Sequence, residues 1–145
     1  MPLKPSTPSR LEPAEAAQLL ASRGIAPTRQ RIRVASVLLA CDQHLSADQL
    51  LKLVNRDTEA VSKATVYNTL ALFVKKGLVR EVVVDRAKVF YDSNATEHHH
   101  LYDADRGTLT DIDIGRIAVS GLPDLPDDTV VEGVDVIVRV RRAKT

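Results

Sequence analysis

Through the first half of the chain apolar positions recur at helical spacing; towards the end the recurrence changes to every second residue. Residues 13–23 predict a short helix, with Pro13 suited to its first turn and Gly24 as its stop. Thr28 opens a second helix running to about Ala40, with Ile32, Ala35, Leu38 and Leu39 on one face. Cys41 is expected to be a buried residue of that helix. Ser46-Ala-Asp-Gln49 is a capping-box pattern and starts a third helix with Leu50, Leu51 and Val54 inward. Ser62 caps a fourth, about 63–76, which Gly77 ends. Its stripe Val66, Leu70, Phe73 and Val74 points to a core, and Ala64, Asn68, Ala71 and Lys75 lie on the opposite face. Two β-rich runs, 78–84 and 89–91, flank a polar turn and read as a hairpin.

Three helices, a capped fourth and a basic hairpin follow the order of a winged helix-turn-helix, with 63–76 as the recognition helix. The chain after it differs. Residues 108–114 alternate, and Gly133 to Arg142 puts Val134, Val136, Val138 and Val140 on one face of a strand. Pro123 and Pro126 interrupt any long helix between them, leaving room for a short one near 115–120. The fold class is α+β: an N-terminal winged helix-turn-helix followed by a small α/β dimerisation domain. We divide it into a flexible N-terminal arm, 1–12, a DNA-binding domain, 13–91, and a dimerisation and ligand-sensing domain, 92–145, with a hinge at about 92–100. About 54 residues with one aliphatic face are marginal alone, so a homodimer is expected.

Charge sharpens this division. The formal net charge is only +1, but residues 1–91 carry 14 basic and 8 acidic side chains, whereas 92–145 carry 6 and 11. A basic half joined to an acidic one suits a module that faces nucleic acid, here double-stranded promoter DNA. Arg29, Arg31 and Arg33 crowd the start of the second helix, where the helix dipole disfavours cations; a phosphate partner would account for them. Arg29, Arg31, Lys63, Arg86 and Lys88 are the candidate phosphate contacts. Thr65, Tyr67 and Asn68 are the candidates for base edges, since Asn pairs bidentately with adenine. The single cysteine excludes an intramolecular disulfide and any paired-cysteine zinc site, and fits a cytoplasmic location. No apolar run is long enough for a membrane span.

Three of the four histidines are consecutive, His98, His99 and His100. In an extended segment His98 and His100 point one way and His99 the other. Two imidazoles at that spacing can share one metal. Carboxylates abound nearby, including Asp92 and Asp111, and His44 can be brought close by folding. Such a set without thiolates suits Zn²⁺, Fe²⁺ or Mn²⁺, or an imidazole-ligated haem. No nucleophile–base pair and no glycine-rich phosphate loop stands out, so an enzyme is not expected. The remote exception is a metalloenzyme built on two histidines and a carboxylate.

Gly24-Ile-Ala-Pro-Thr-Arg-Gln-Arg-Ile32, His44-Leu-Ser-Ala-Asp-Gln-Leu50, Ala64-Thr-Val-Tyr-Asn-Thr-Leu70 and His98-His-His-Leu101 together resemble the ferric uptake regulator superfamily in order and spacing, over roughly residues 15–142. Asn68 after Tyr67, the histidine triplet and the shortened second domain look most like the iron response regulator branch. The resemblance implies a dimeric transcription factor of iron and haem homeostasis. On it, His44, His98, His100 and Asp111 match the regulatory metal site. The family's glutamate after the wing aligns with Tyr91, leaving Asp92 as the substitute. The branch implies haem at His98, His99 and His100, and a protein partner in haem synthesis such as ferrochelatase. A repressor or peroxide sensor with a divalent metal corepressor is the alternative. The family's structural zinc, held by paired cysteines, has no counterpart here.

Overall fold

The computed structural model describes residues 10–56 and 60–144; of the arm 1–12, residues 1–9 therefore lie outside the described residues. The chain divides into two compact units, Met1–Ala95 and Thr96–Thr145. The fold is α+β.

In the first unit the helices are α1 (Pro13–Ser22), α2 (Arg29–Leu38), α3 (Ala47–Val54) and α4 (Lys63–Lys75). Their starts follow from local chemistry. Pro13 occupies the first turn of α1. Thr28 accepts the Arg31 amide at α2, and Ser62 accepts the Thr65 amide at α4. At α3 the capping box is reciprocal: Ser46 Oγ accepts the Gln49 amide at 3.2 Å, and Gln49 Oε1 accepts the Ser46 amide at 2.9 Å. Gly24 and Gly77, both with φ above +70°, turn the chain after α1 and α4. The apolar stripes meet in one aliphatic core that includes Leu20, Val34, Leu38, Leu50, Val66, Leu70 and Phe73.

Helix α2 is shorter than the sequence predicts. It ends at Leu38, and Cys41 lies beyond it, exposed rather than buried. The polar run from Cys41 to Gln43 explains the early end. Gln43 turns back and donates to the Val37 and Leu38 carbonyls, satisfying the helix terminus in place of a further turn. After it comes β1 (His44–Leu45), then, beyond α4, the hairpin β2 (Arg80–Asp85) and β3 (Lys88–Asp92). These form an antiparallel sheet in the order β1-β3-β2.

The second unit holds β4 (His98–Asp103), β5 (Thr108–Asp113), a 3₁₀ turn (Ile114–Arg116) and β6 (Ile137–Val140). The order is β5-β4-β6, with β4 antiparallel to β5 and parallel to β6. The strand predicted over 133–142 shrinks to four residues, and Val138 is 37% exposed rather than inward with Val140. As an edge strand, β6 has a ladder on one side only, and among the described residues that ladder stops at Val140. Both its ends are tied to β4. His99 Nδ1 accepts the Val136 amide at 3.1 Å, and Arg142 donates to Asp103 Oδ2 at 3.0 Å. No helix among the described residues is long and apolar enough to cross a membrane.

Candidate metal centre and nucleic-acid interface

Strand β4 places the three histidines. All are buried, at 5%, 3% and 4% exposure, so this segment is a sheet interior and not a solvated linker. Strand alternation sends His98 and His100 to one face and His99 to the other. His98 Nε2 and His100 Nε2 lie 3.0 Å apart, with the rings edge to face. Asp111 stands opposite His100 in the register, and its Oδ1 lies 3.4 Å from His98 Nε2 and 3.8 Å from His100 Nε2. An ion bound at about 2.0–2.2 Å from N and O donors needs those donors roughly 3.0–3.5 Å apart. Two of the three separations lie in that range and the third, at 3.8 Å, lies just outside it, so the two imidazoles and the carboxylate converge closely enough for a divalent cation after a small adjustment of Asp111.

The donor roles of the rings are set locally. The Thr96 carbonyl is 2.6 Å from His98 Nδ1, which puts the proton on Nδ1 and the lone pair on Nε2, facing His100 and Asp111. His99 is oriented differently: its Nδ1 accepts the Val136 amide, so that nitrogen serves the sheet.

In the first unit β1 and β3 set His44 directly opposite Asp92. Directly opposed residues project from the same face. Asp92 is 1% exposed, and its Oδ1 accepts the Asn94 amide at 2.9 Å. A carboxylate withdrawn from water this far calls for donors or a cation around it. Tyr91, one residue earlier, faces Glu81 and Leu45 and projects from the other side of the strand. Burial, then the negative charge of Glu81, then Tyr67, push its phenol pKa up. The side chain facing His44 is thus the aspartate, not the tyrosine that aligns with the family's glutamate.

Helix α4 presents the nucleic-acid candidates. Ala64, Asn68, Ala71 and Lys75 are exposed along it, while Val66, Thr69, Leu70 and Phe73 are buried. Tyr67 is 43% exposed, with Lys63 Nζ 5.7 Å from its ring centre, a cation–π pair. Thr65 is half-buried and accepts the Ser62 hydroxyl at 2.8 Å, so it also serves the cap. Arg31, Thr65 and Asn68 line one groove of about 420 Å³ on the α2–α4 side of the unit. Gln30 lines it too. Sequence reasoning passed over Gln30; its signal was its place between two arginines in the first turn of α2. Arg31 is anchored to the Ala26 carbonyl at 3.0 Å. Arg33, grouped with Arg29 and Arg31 by spacing, turns to the Val54 carbonyl at 2.9 Å and caps α3 instead. Arg86 is exposed in the hairpin turn, and Lys88 is half-buried with Nζ 5.4 Å from the Phe90 ring centre.

A model of the ferric uptake regulator family matches residues 22–120. The peroxide-responsive repressor PerR of Staphylococcus aureus is 29% identical over 92 residues, which are 63% of this chain. The match spans 62% of that relative's length. Among solved structures, the ferric uptake regulator from Pseudomonas aeruginosa with manganese superposes with a TM-score of 0.67 at 21% identity, covering 89% of this chain and 98% of that one. The Campylobacter jejuni peroxide stress regulator gives 0.57 at 22% identity, covering 90% and 96%. At such identities these likenesses establish the fold.

Proposed function

The chain belongs to the ferric uptake regulator family, and from that premise we propose that it is a homodimeric transcriptional regulator whose hold on promoter DNA responds to a divalent metal ion. The observation that carries the effector is the convergence of His98 Nε2, His100 Nε2 and Asp111 Oδ1 within 3.8 Å of one another. Nitrogen and oxygen donors without thiolate suit Fe²⁺, Mn²⁺ or Zn²⁺. The family resemblance assigns His44 and Asp92 to the same ion. On that assignment the ion is the link through which effector binding biases DNA binding, and it must bind the DNA-competent shape more tightly.

Helix α4 enters the major groove, with Tyr67, Asn68 and Thr65 near base edges. Arg29, Arg31, Lys63, Arg86 and Lys88 contact phosphates. The exposed small residues Ala64 and Ala71 support this, because they let the helix backbone approach the groove closely.

The finer assignment to the iron response regulator branch, with haem as effector, draws on the same histidines. His98 and His100, which share one face of β4 with Asp111 beside them, would be the residues to hold either group, and their close approach favours a single small ion. The peroxide-responsive relatives add a further reading, in which the bound ion also senses an oxidant.

One experiment separates these. Apo-protein is titrated with Mn²⁺, Fe²⁺ and haem in turn, and binding to labelled promoter DNA is followed by fluorescence anisotropy. Mn²⁺ or Fe²⁺ should tighten binding by about tenfold or more. His98→Ala and His100→Ala should abolish that response. DNA release by haem, with the ions silent, would move the protein to the iron response regulator branch. Peroxide-dependent release of the Fe²⁺ form, with the Mn²⁺ form resistant, would mark a peroxide sensor.

A further inference from the structure

His44 reaches its place opposite Asp92 on a strand of two residues, shorter than strands usually are and too short to hold a register by itself. What holds it lies one position outside the ladder. Continuing the β1–β3 register by one pair sets Gln43 against Ser93. The Ser93 amide donates to the Gln43 carbonyl at 2.9 Å. In a regular pair the Gln43 amide would return a bond to the Ser93 carbonyl. Here it donates to the Ser93 hydroxyl at 3.1 Å. That hydroxyl donates in turn to the Cys41 carbonyl at 2.8 Å, with the Gln43 carbonyl farther away at 3.2 Å. One serine side chain thus serves both a donor and an acceptor of the turn that leads into His44.

The Gln43 side chain fixes the other end of that turn. Its Nε2 donates to the Val37 and Leu38 carbonyls at 2.8 and 3.0 Å, at the end of α2. The backbone before His44 is therefore tied both to α2 and to the residue that follows Asp92. The chain after His44 is held by the capping box that begins at Ser46. The imidazole itself meets buried Phe90 edge to face, with ring centres 6.5 Å apart. Phe90 lies two residues before Asp92 and so projects from the same face of β3.

We propose that Gln43 and Ser93 are positioning residues of the metal centre, which hold His44 against Asp92 before an ion arrives. The inference rests on the reading that His44 and Asp92 join the ion. A ligand fixed beforehand loses less conformational freedom on binding, so the clamp raises affinity without touching the metal. Outer residues that orient metal ligands act in this way.

The test uses the full chain in its apo form, with Co²⁺ as the probe. Co²⁺ affinity and the visible absorption bands of the bound ion report on the centre. The His44 imidazole signals in the NMR spectrum of the apo-protein report on the clamp. Ser93→Ala should weaken Co²⁺ by about tenfold or more, alter the bands, and shift or broaden the His44 signals with no ion present. Ser93→Thr keeps the hydroxyl and should restore all three. Gln43→Leu loses both bonds to α2 and should weaken Co²⁺ in the same direction. A lowered thermal midpoint in Ser93→Ala and Gln43→Leu, with affinity, bands and His44 signals as in the wild type, would show a purely structural role and overturn the proposal. So would Ser93→Thr behaving as Ser93→Ala does. If the wild type binds no Co²⁺, the metal reading fails and this inference with it; if wild type and variants bind equally, the inference alone fails.

Discussion

Asp103 shows how far single contacts set the chemistry of a side chain here. The Arg106 backbone N–H, above all, holds its carboxyl below the ordinary aspartate range; burial, the next largest effect, opposes it, and the Arg142 guanidinium and the Asp105 amide add to the lowering. A depressed folded-state pKa contributes stability above the unfolded value that is lost as pH falls through the folded one. Arg142→Gln should therefore raise the Asp103 midpoint in a carboxyl NMR titration. The midpoint should stay below the ordinary value, because the two backbone donors remain. Tyr91 shifts the other way, so Tyr91→Phe should remove the component of the tyrosinate absorbance that ionises above the ordinary phenol range. At this scale sequence reading was uneven. That His98 and His100 share a face followed from alternation alone. Their burial did not follow, because a run of three polar residues carries no apolar pattern to mark it as the middle strand of a sheet. The choice of Asp92 over Tyr91 needed the β1–β3 register, which one sequence does not contain.

Elements were legible where a local signal marked them. The capping residues Thr28, Ser46 and Ser62 each stand where the sequence put them, because a cap is a contact over three residues. Ser62→Ala should cost about 1 kcal/mol in urea denaturation. It should also weaken DNA binding beyond that loss, if α4 is the reading helix, since its first turn carries Lys63, Thr65 and Tyr67. Phe73→Ala, at a fully buried position of α4, should cost about 3–5 kcal/mol. The elements missed were those without a period. Strand β1 has two residues, too few to alternate, and β4 opens on three polar ones. The end of α2 was overrun because Gln43 closes the helix through its side chain, a device that apolar spacing does not register.

For the whole molecule, the separation of charge along the chain is a statement about salt. If five side chains meet phosphates, the logarithm of DNA affinity should fall with the logarithm of salt at a slope of about −0.9 per contact. Arg86→Ala should then make that slope shallower by about one, with little change in sequence preference. Lys75→Ala measures whether the far end of α4 joins the interface or is only solvated: an unchanged slope places it outside.

The parallel pairing of β4 with β6 has its own consequence. Parallel neighbours cannot be joined by a tight turn, and residues 117–136 make the crossing without helix or strand. Register is held at the two ends instead, by the His99–Val136 bond and the Arg142–Asp103 pair. The length of the crossing is then nearly free. Two residues inserted after Glu132 add only about 0.1 kcal/mol of loop entropy, and the thermal midpoint should hardly move. His99→Leu should behave differently: with one end untied, β6 can slide by a residue, and a slide of one exchanges its inner and outer faces.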